Sequence, residues 1–266
     1  MSTTELIILV PIVFVVAGVY AAVGLGGGTG YLAVMALLGM PAQEMAPTAL
    51  FLNFMVTAAA SVRYGWQHFK GGVSAQGKPS SEPRWRLFWP FLVVAAPMAL
   101  AASFVRANEA AFMGILGVAL VLAGIFTMRS ARAELALAAE PDRLRHWSIA
   151  TVSGGTIGGL AGFVGIGGGV FLGPLLLALR WATIREVTSF GTVFVLVLSA
   201  MGLIGHGIGG ALNLGTVLPL TLAALVGGYV GIRLAEGSLS PVTVQRILGG
   251  VVLLAGAKAC YDALLR

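Results

Sequence analysis

The sequence predicts an all-α integral membrane protein made of two inverted repeats of about five helical segments each. A glycine-broken or re-entrant helix pair opens each half. Three observations predict this. First, 58% of the 266 residues are hydrophobic, only 10% are charged, and the mean hydropathy is +0.95. A soluble domain carries about 25% charged residues, so this chain cannot clothe itself in a wetted surface. Second, the charges gather in a few clusters and leave long uncharged tracts between them. Third, a glycine cluster occurs twice, with similar hydrophobic segments after each copy.

A membrane span takes roughly 20 apolar residues, with about 17 to 25 tolerated. By that measure, long helices are expected at residues 6–22, 47–64, 87–105 and 110–128. A second set is expected at 148–164, 187–206, 214–235 and 241–264. The first of these lacks a basic leader, Glu5 being the one charge before it. It therefore reads as a membrane helix and not as a signal peptide. Two shorter apolar pieces, 29–39 and 170–179, follow the glycine clusters and are too short to cross alone.

The order long, break, short, long, long, long then repeats itself. Val23-Gly24-Leu25-Gly26-Gly27-Gly28 returns as Val164-Gly165-Ile166-Gly167-Gly168-Gly169. Thr48-Ala49-Leu50 returns as Thr188-Ser189-Phe190, and Ile115-Leu116-Gly117 with Leu122-Ala123-Gly124 returns as Ile247-Leu248-Gly249 with Leu254-Ala255-Gly256. The division is a first membrane repeat at 1–128, a cytoplasmic connector at 129–147 and a second membrane repeat at 148–266.

Orientation follows from basic loops, which stay in the cytoplasm. Connector 66–86 holds Lys70, Lys78, Arg84 and Arg86, and the central connector holds Arg129, Arg132, Arg143 and Arg145. The uncharged stretch 207–213 suits the far side. If each broken pair enters and returns, each half makes an odd number of traverses, and the halves lie inverted. Both termini then face outward, although Lys258 and Arg266 weigh against that placement.

Hydrocarbon cannot satisfy free backbone N–H and C=O groups, so a break at membrane depth survives only inside protein or beside water. Each short helix begins at its break, where the first N–H groups and the helix dipole make a partial positive site. Such an end holds an anion without a charged side chain. Gly26, Gly27, Gly28 and Thr29 in the first half, and Gly167, Gly168 and Gly169 in the second, are the candidate binding backbone. Thr48, Asn53 and Thr57 open one following helix, and Thr188, Ser189 and Thr192 open its counterpart. Of these, Thr48, Asn53, Thr188 and Ser189 are expected to line the site. Arg63 and Arg185, like Arg180, lie near helix ends, where they snorkel to the interface or attract anions to the mouth. Gly154, Gly155, Gly158, Gly159, Gly227, Gly228 and Gly231 are assigned to close helix packing.

Absences narrow the class further. The only aspartates are Asp142 and Asp262, and the glutamates fall in or near connectors. No buried carboxylate is offered to a cation site, a proton relay or an aspartyl protease. Cys260 stands alone, which excludes an internal disulfide and a cysteine metal cluster. His206, between Gly205 and Gly207, reads as an interfacial or packing residue, with a titratable role left open. Pairing Ser153 with His206 as a hydrolytic couple lacks a Gly-x-Ser elbow. No enzymatic activity and no cofactor are expected, and the net charge of +6 reflects cytoplasmic loops and not nucleic-acid binding.

The paired Gly-x-Gly-Gly-Gly segments, each followed by a short helix and a Thr-Ser/Ala-Leu/Phe step, resemble the TauE/SafE family. The resemblance is closest in the second half, over 164–174, 187–190 and 225–234. The first half diverges, with Ala33 where the second has Pro174, and with Pro97 near the place of the later glycines. The resemblance implies a multi-pass transporter of the bacterial inner membrane for sulfite, sulfoacetate or related organosulfonates. Its implied partners are a small anionic substrate and lipid, with a homodimer as an allowed assembly. The rivals are a passive anion channel, an uptake permease for other small organic anions, an intramembrane enzyme and a membrane scaffold.

Overall fold

The computed structural model describes residues 3–23, 27–69, 85–130, 143–182, 184–207, 213–235 and 241–265. Among them are ten helices: α1 (Thr3–Val23), α2 (Gly28–Leu37), α3 (Ala42–Phe69), α4 (Trp85–Ser103), α5 (Glu109–Ser130), α6 (Arg143–Val164), α7 (Gly169–Ala178), α8 (Ile184–Gly207), α9 (Leu214–Ala235) and α10 (Pro241–Leu265). Six are long and apolar enough to cross a membrane, and the apolar stretches of α1 and α4 are slightly shorter. Every segment expected from hydropathy is present, including both short helices after the breaks.

Three helix ends lie furthest from expectation and by equal amounts: the start and end of α3 and the start of α6. Pro47 invites placement at a first helical position, yet the helix begins at Ala42 and contains Pro47. Ala42, Gln43, Glu44 and Met45 are all strong helix formers. Glu44 also sits in the first turn, where its charge complements the dipole. The extension puts Asn53 well inside the helix. At 1.5 Å per residue it lies about 16 Å from the α3 start, near half the thickness of a bilayer core.

Close approach of backbones builds the bundle. Lipid gives no hydrophobic drive for helices to associate, so small residues that permit dense contact supply it. Gly18 of α1 sits on Gly227 and Gly231 of α9. Gly154, Gly158 and Gly162 of α6 sit on Phe91, Ala95 and Ala99 of α4. Gly117 and Gly124 of α5 meet Gly256 and Gly249 of α10. Three of the glycines assigned to packing behave otherwise. Gly159 has open space beside it, and Gly155 and Gly228 make only ordinary contacts with side chains.

The helix neighbours follow a pattern. α1 packs on α9 and α6 on α4; α2 packs on α10 and α7 on α5; α2 packs on α3 and α7 on α8. Advancing each first-half helix by five places turns one contact of each pair into the other. The same step maps the α3–α8 and α5–α10 contacts onto themselves.

Candidate functional site

The second break is fully described. Gly165, Gly167 and Gly168 all have positive φ, at 91°, 76° and 79°. L side chains rarely adopt that region, which explains glycine at these three places. Gly168 caps α7 in a left-handed conformation with no side-chain hydrogen bond. In the first break, Gly27 caps α2 at φ −73°, ψ 3°, again with no side-chain bond. A glycine cap thus offers no side chain to the opening N–H groups of either short helix. Gly26 lies outside the described residues.

The two breaks meet at one side chain. A methyl placed on Gly28 would overlap both Asn53 Nδ2 and the Ile166 carbonyl. A methyl on Gly167 would lie 2.9 Å from Asn53 Nδ2, 3.0 Å from Val195 Cγ1 and 3.4 Å from Ser199 Oγ. Asn53 and Ser199 are fully buried. Neither amide atom of Asn53 has a hydrogen-bond partner, and neither has the Ser199 hydroxyl. Leaving such a group unpaired costs about 1–3 kcal/mol. Orphaned polar atoms of this kind call for an explanation.

The other expected site residues are placed as follows. Thr29 is buried, and its hydroxyl shares a 2.9 Å hydrogen bond with Tyr20 Oη. Gly27 is covered by the Tyr31 ring, whose buried hydroxyl has no partner. Gly168 faces Leu198, Ile157 and Phe194, and Gly169 faces Val195. Thr48 is buried and Ser189 half-buried. Thr57 spends its hydroxyl on the Asn53 carbonyl at 2.6 Å. The side chains of Arg63, Arg185 and Thr188 lie outside the described residues. Thus Gly28, Gly167 and Asn53 come together. Ser199 joins them without having been singled out by the sequence, and Tyr31 covers the neighbouring Gly27.

A cavity of about 590 Å³ opens near the α3 and α5 starts, lined by Gln43, Arg106, Glu109, Phe112, Phe163 and His206 among others. It does not reach Asn53. Ala46 belongs to its lining and lies two helical turns from Asn53 on the same face of α3. A methyl on Gly165 would come within 2.8 Å of the Ala46 Cα and carbonyl oxygen.

Two histidines tie the ends of α6. His206 Nε2 donates to the Gly162 carbonyl at 2.9 Å, and His146 Nε2 donates to the Leu87 carbonyl at 2.7 Å. His146 also packs edge-on against Trp181. Among the described residues no three His, Cys, Asp or Glu side chains cluster as a metal site.

Comparison with known proteins points the same way. The family described as Sulfite exporter TauE/SafE matches residues 71–259, which takes in the second break. The chain is 35% identical over 202 residues to the "Probable membrane transporter protein y4hK" of Sinorhizobium fredii, covering 76% of each chain. No solved structure matches. The chain therefore belongs to the TauE/SafE family and is a multi-pass membrane transporter, not an enzyme.

Proposed function

We propose that this protein is a secondary transporter that exports a small sulfur-containing anion, such as sulfite or sulfoacetate, across the bacterial inner membrane. The observation that carries the proposal is the unpaired Asn53 amide lodged between the two breaks. Two helix starts offer unpaired N–H groups and positive dipole ends beside it, a setting that favours an oxyanion. Backbone from Gly26 to Thr29 and from Gly167 to Val170 binds the anion. Thr48, Asn53, Thr188 and Ser189 complete the site, and Arg63 and Arg185 attract anions to its mouth. Sulfur comes from the family description.

Alternating access follows from two halves in opposite orientation. The five-place pattern of helix contacts supports a two-fold relation between the halves, and paired broken helices are a feature of inverted-repeat transporters. With the basic connectors inside, the cavity at Arg106 and His206 opens outward. Export is downhill for an anion, because an inside-negative potential contributes about 2.3 kcal/mol per charge for every 100 mV.

The test is counterflow of labelled sulfite or sulfoacetate in proteoliposomes. Saturable trans-stimulated flux is expected. Substitution of Gly27 and Gly168 by bulkier residues should abolish it while membrane insertion persists. Unsaturated, voltage-following current would replace the transporter with a passive channel. Flux that survives both substitutions would remove the breaks from the site.

A further inference from the structure

The orphaned atoms at the seam are not all donors. Asn53 Nδ2 donates, Asn53 Oδ1 accepts, and the Ser199 hydroxyl does either. The Ile166 carbonyl, at the spot a Gly28 methyl would fill, adds a second acceptor. Val195, Leu198 and Phe194 make the surroundings apolar. A fully deprotonated oxyanion presents acceptors only. It would satisfy Nδ2, the Ser199 proton and the helix N–H groups, but it would press negative charge against Oδ1 and the Ile166 oxygen. Asn53 Oδ1 would stay buried and unpaired, a costly arrangement in a dry site.

We infer that the ligand of this site is a monoanion that also carries a hydrogen-bond donor: a singly protonated oxyanion, or a sulfonate bearing a hydroxyl group. Its donor goes to Asn53 Oδ1, and its oxygens take Nδ2, the Ser199 hydroxyl and the helix N–H groups. The inference rests on the transporter reading above and narrows its substrate. The amide belongs to the first half only, since the stretch of α8 corresponding to Asn53 reads Val193-Phe194-Val195, and the second half offers the Ser199 hydroxyl instead. The ligand is therefore held in one orientation.

An isosteric pair separates donor from no donor. In detergent-purified full-length protein, 2-hydroxyethanesulfonate should bind at least about tenfold tighter than 1-propanesulfonate, because the hydroxyl pairs an otherwise stranded acceptor. Asn53→Leu should erase the preference. It should also raise the unliganded Tm, since it removes a buried unpaired amide; a hydrogen-bonded structural asparagine would lower Tm instead. Equal affinities in the wild type, or a preference that survives Asn53→Leu, would overturn the inference and leave the transporter reading intact. Binding of neither sulfonate while sulfite counterflow persists would overturn it as well. Absence of both sulfonate binding and sulfite counterflow would overturn the reading beneath it. Should Asn53→Leu fail to fold, the wild-type comparison decides alone.

Discussion

Gly27 and Gly168 hold equivalent places in the two glycine breaks and differ in why the place needs glycine. In the second, glycine is a conformational requirement, because Gly165, Gly167 and Gly168 all occupy positive φ. In the first, Gly27 has an ordinary negative φ, and space is the constraint. A methyl there would run into the Tyr31 ring, and one on Gly28 into Asn53 and the Ile166 carbonyl. One sequence pattern thus answers two physical demands. Gly27 yields its space to a side chain, while Gly168 holds a backbone shape.

That difference is open to a direct challenge with double-mutant cycles. Gly27→Ala and Tyr31→Ala each destabilise, but together they should cost less than their sum by about 1–3 kcal/mol, because trimming the ring frees the room the methyl needs. Gly168→Ala with Leu198→Ala should recover only the contact part. The methyl would lie 2.9 Å from Leu198 Cδ2, but the left-handed backbone retains a penalty of about 1–2 kcal/mol whatever its neighbours. Apparent Tm values of the four single and two double variants in detergent check this. Equal recovery at both breaks would abolish the distinction.

What the sequence discloses follows the same division between local and distant causes. Ten helical segments were legible because a bilayer imposes length and apolarity on each segment separately. The break positions were legible because glycine clusters are local. The meeting of Gly28, Ile166 and Asn53 was not, since it joins three segments far apart in the chain and leaves no periodic trace. Ser199 escaped notice for a clear reason. A hydroxyl in a membrane helix ordinarily bonds back to a carbonyl one turn earlier, as Thr127 does to Ala123, Ser153 to Ile149 and Thr221 to Val217. Only the coordinates show that Ser199 is left without a partner. The Asn53 residue type was legible, but its depth was not, because that depends on where α3 begins.

The far ends of the two short helices extend the comparison at a smaller scale. Both close with the same three backbone bonds: Leu38, Gly39 and Met40 donate to Val34, Ala36 and Met35, and Leu179, Arg180 and Trp181 donate to Leu175, Leu177 and Leu176. The left-handed residue is Gly39 in the first, at φ 73°, and Arg180 in the second, at φ 58°. Glycine is the usual occupant of such a turn. Arg180→Gly should therefore stabilise by about 1 kcal/mol, and Gly39→Arg should destabilise by a similar amount. Thermal melts of both variants test the symmetry, and loss of stability in Arg180→Gly would mean that the arginine side chain matters more than its backbone.

The smallest expected effect concerns Lys258, which with Arg266 argued against an outward C-terminus. Its ammonium lies 3.3 Å from the Ala36 carbonyl at the end of α2, and 2.8 Å from Asp262 Oδ2. It thus meets the negative end of a helix dipole, a local reason for a basic residue that owes nothing to loop orientation. Asp262 is the i+4 partner, and both side chains keep partial contact with solvent, so the ion pair itself contributes little. Lys258→Met retains the apolar stem and removes the charge. It should lower stability by about 0.3–1 kcal/mol, and Asp262→Asn should do less. Reversal of that order would assign the lysine to its aspartate and leave α2 without this anchor. An accessibility probe at the C-terminus would then have to settle the orientation alone.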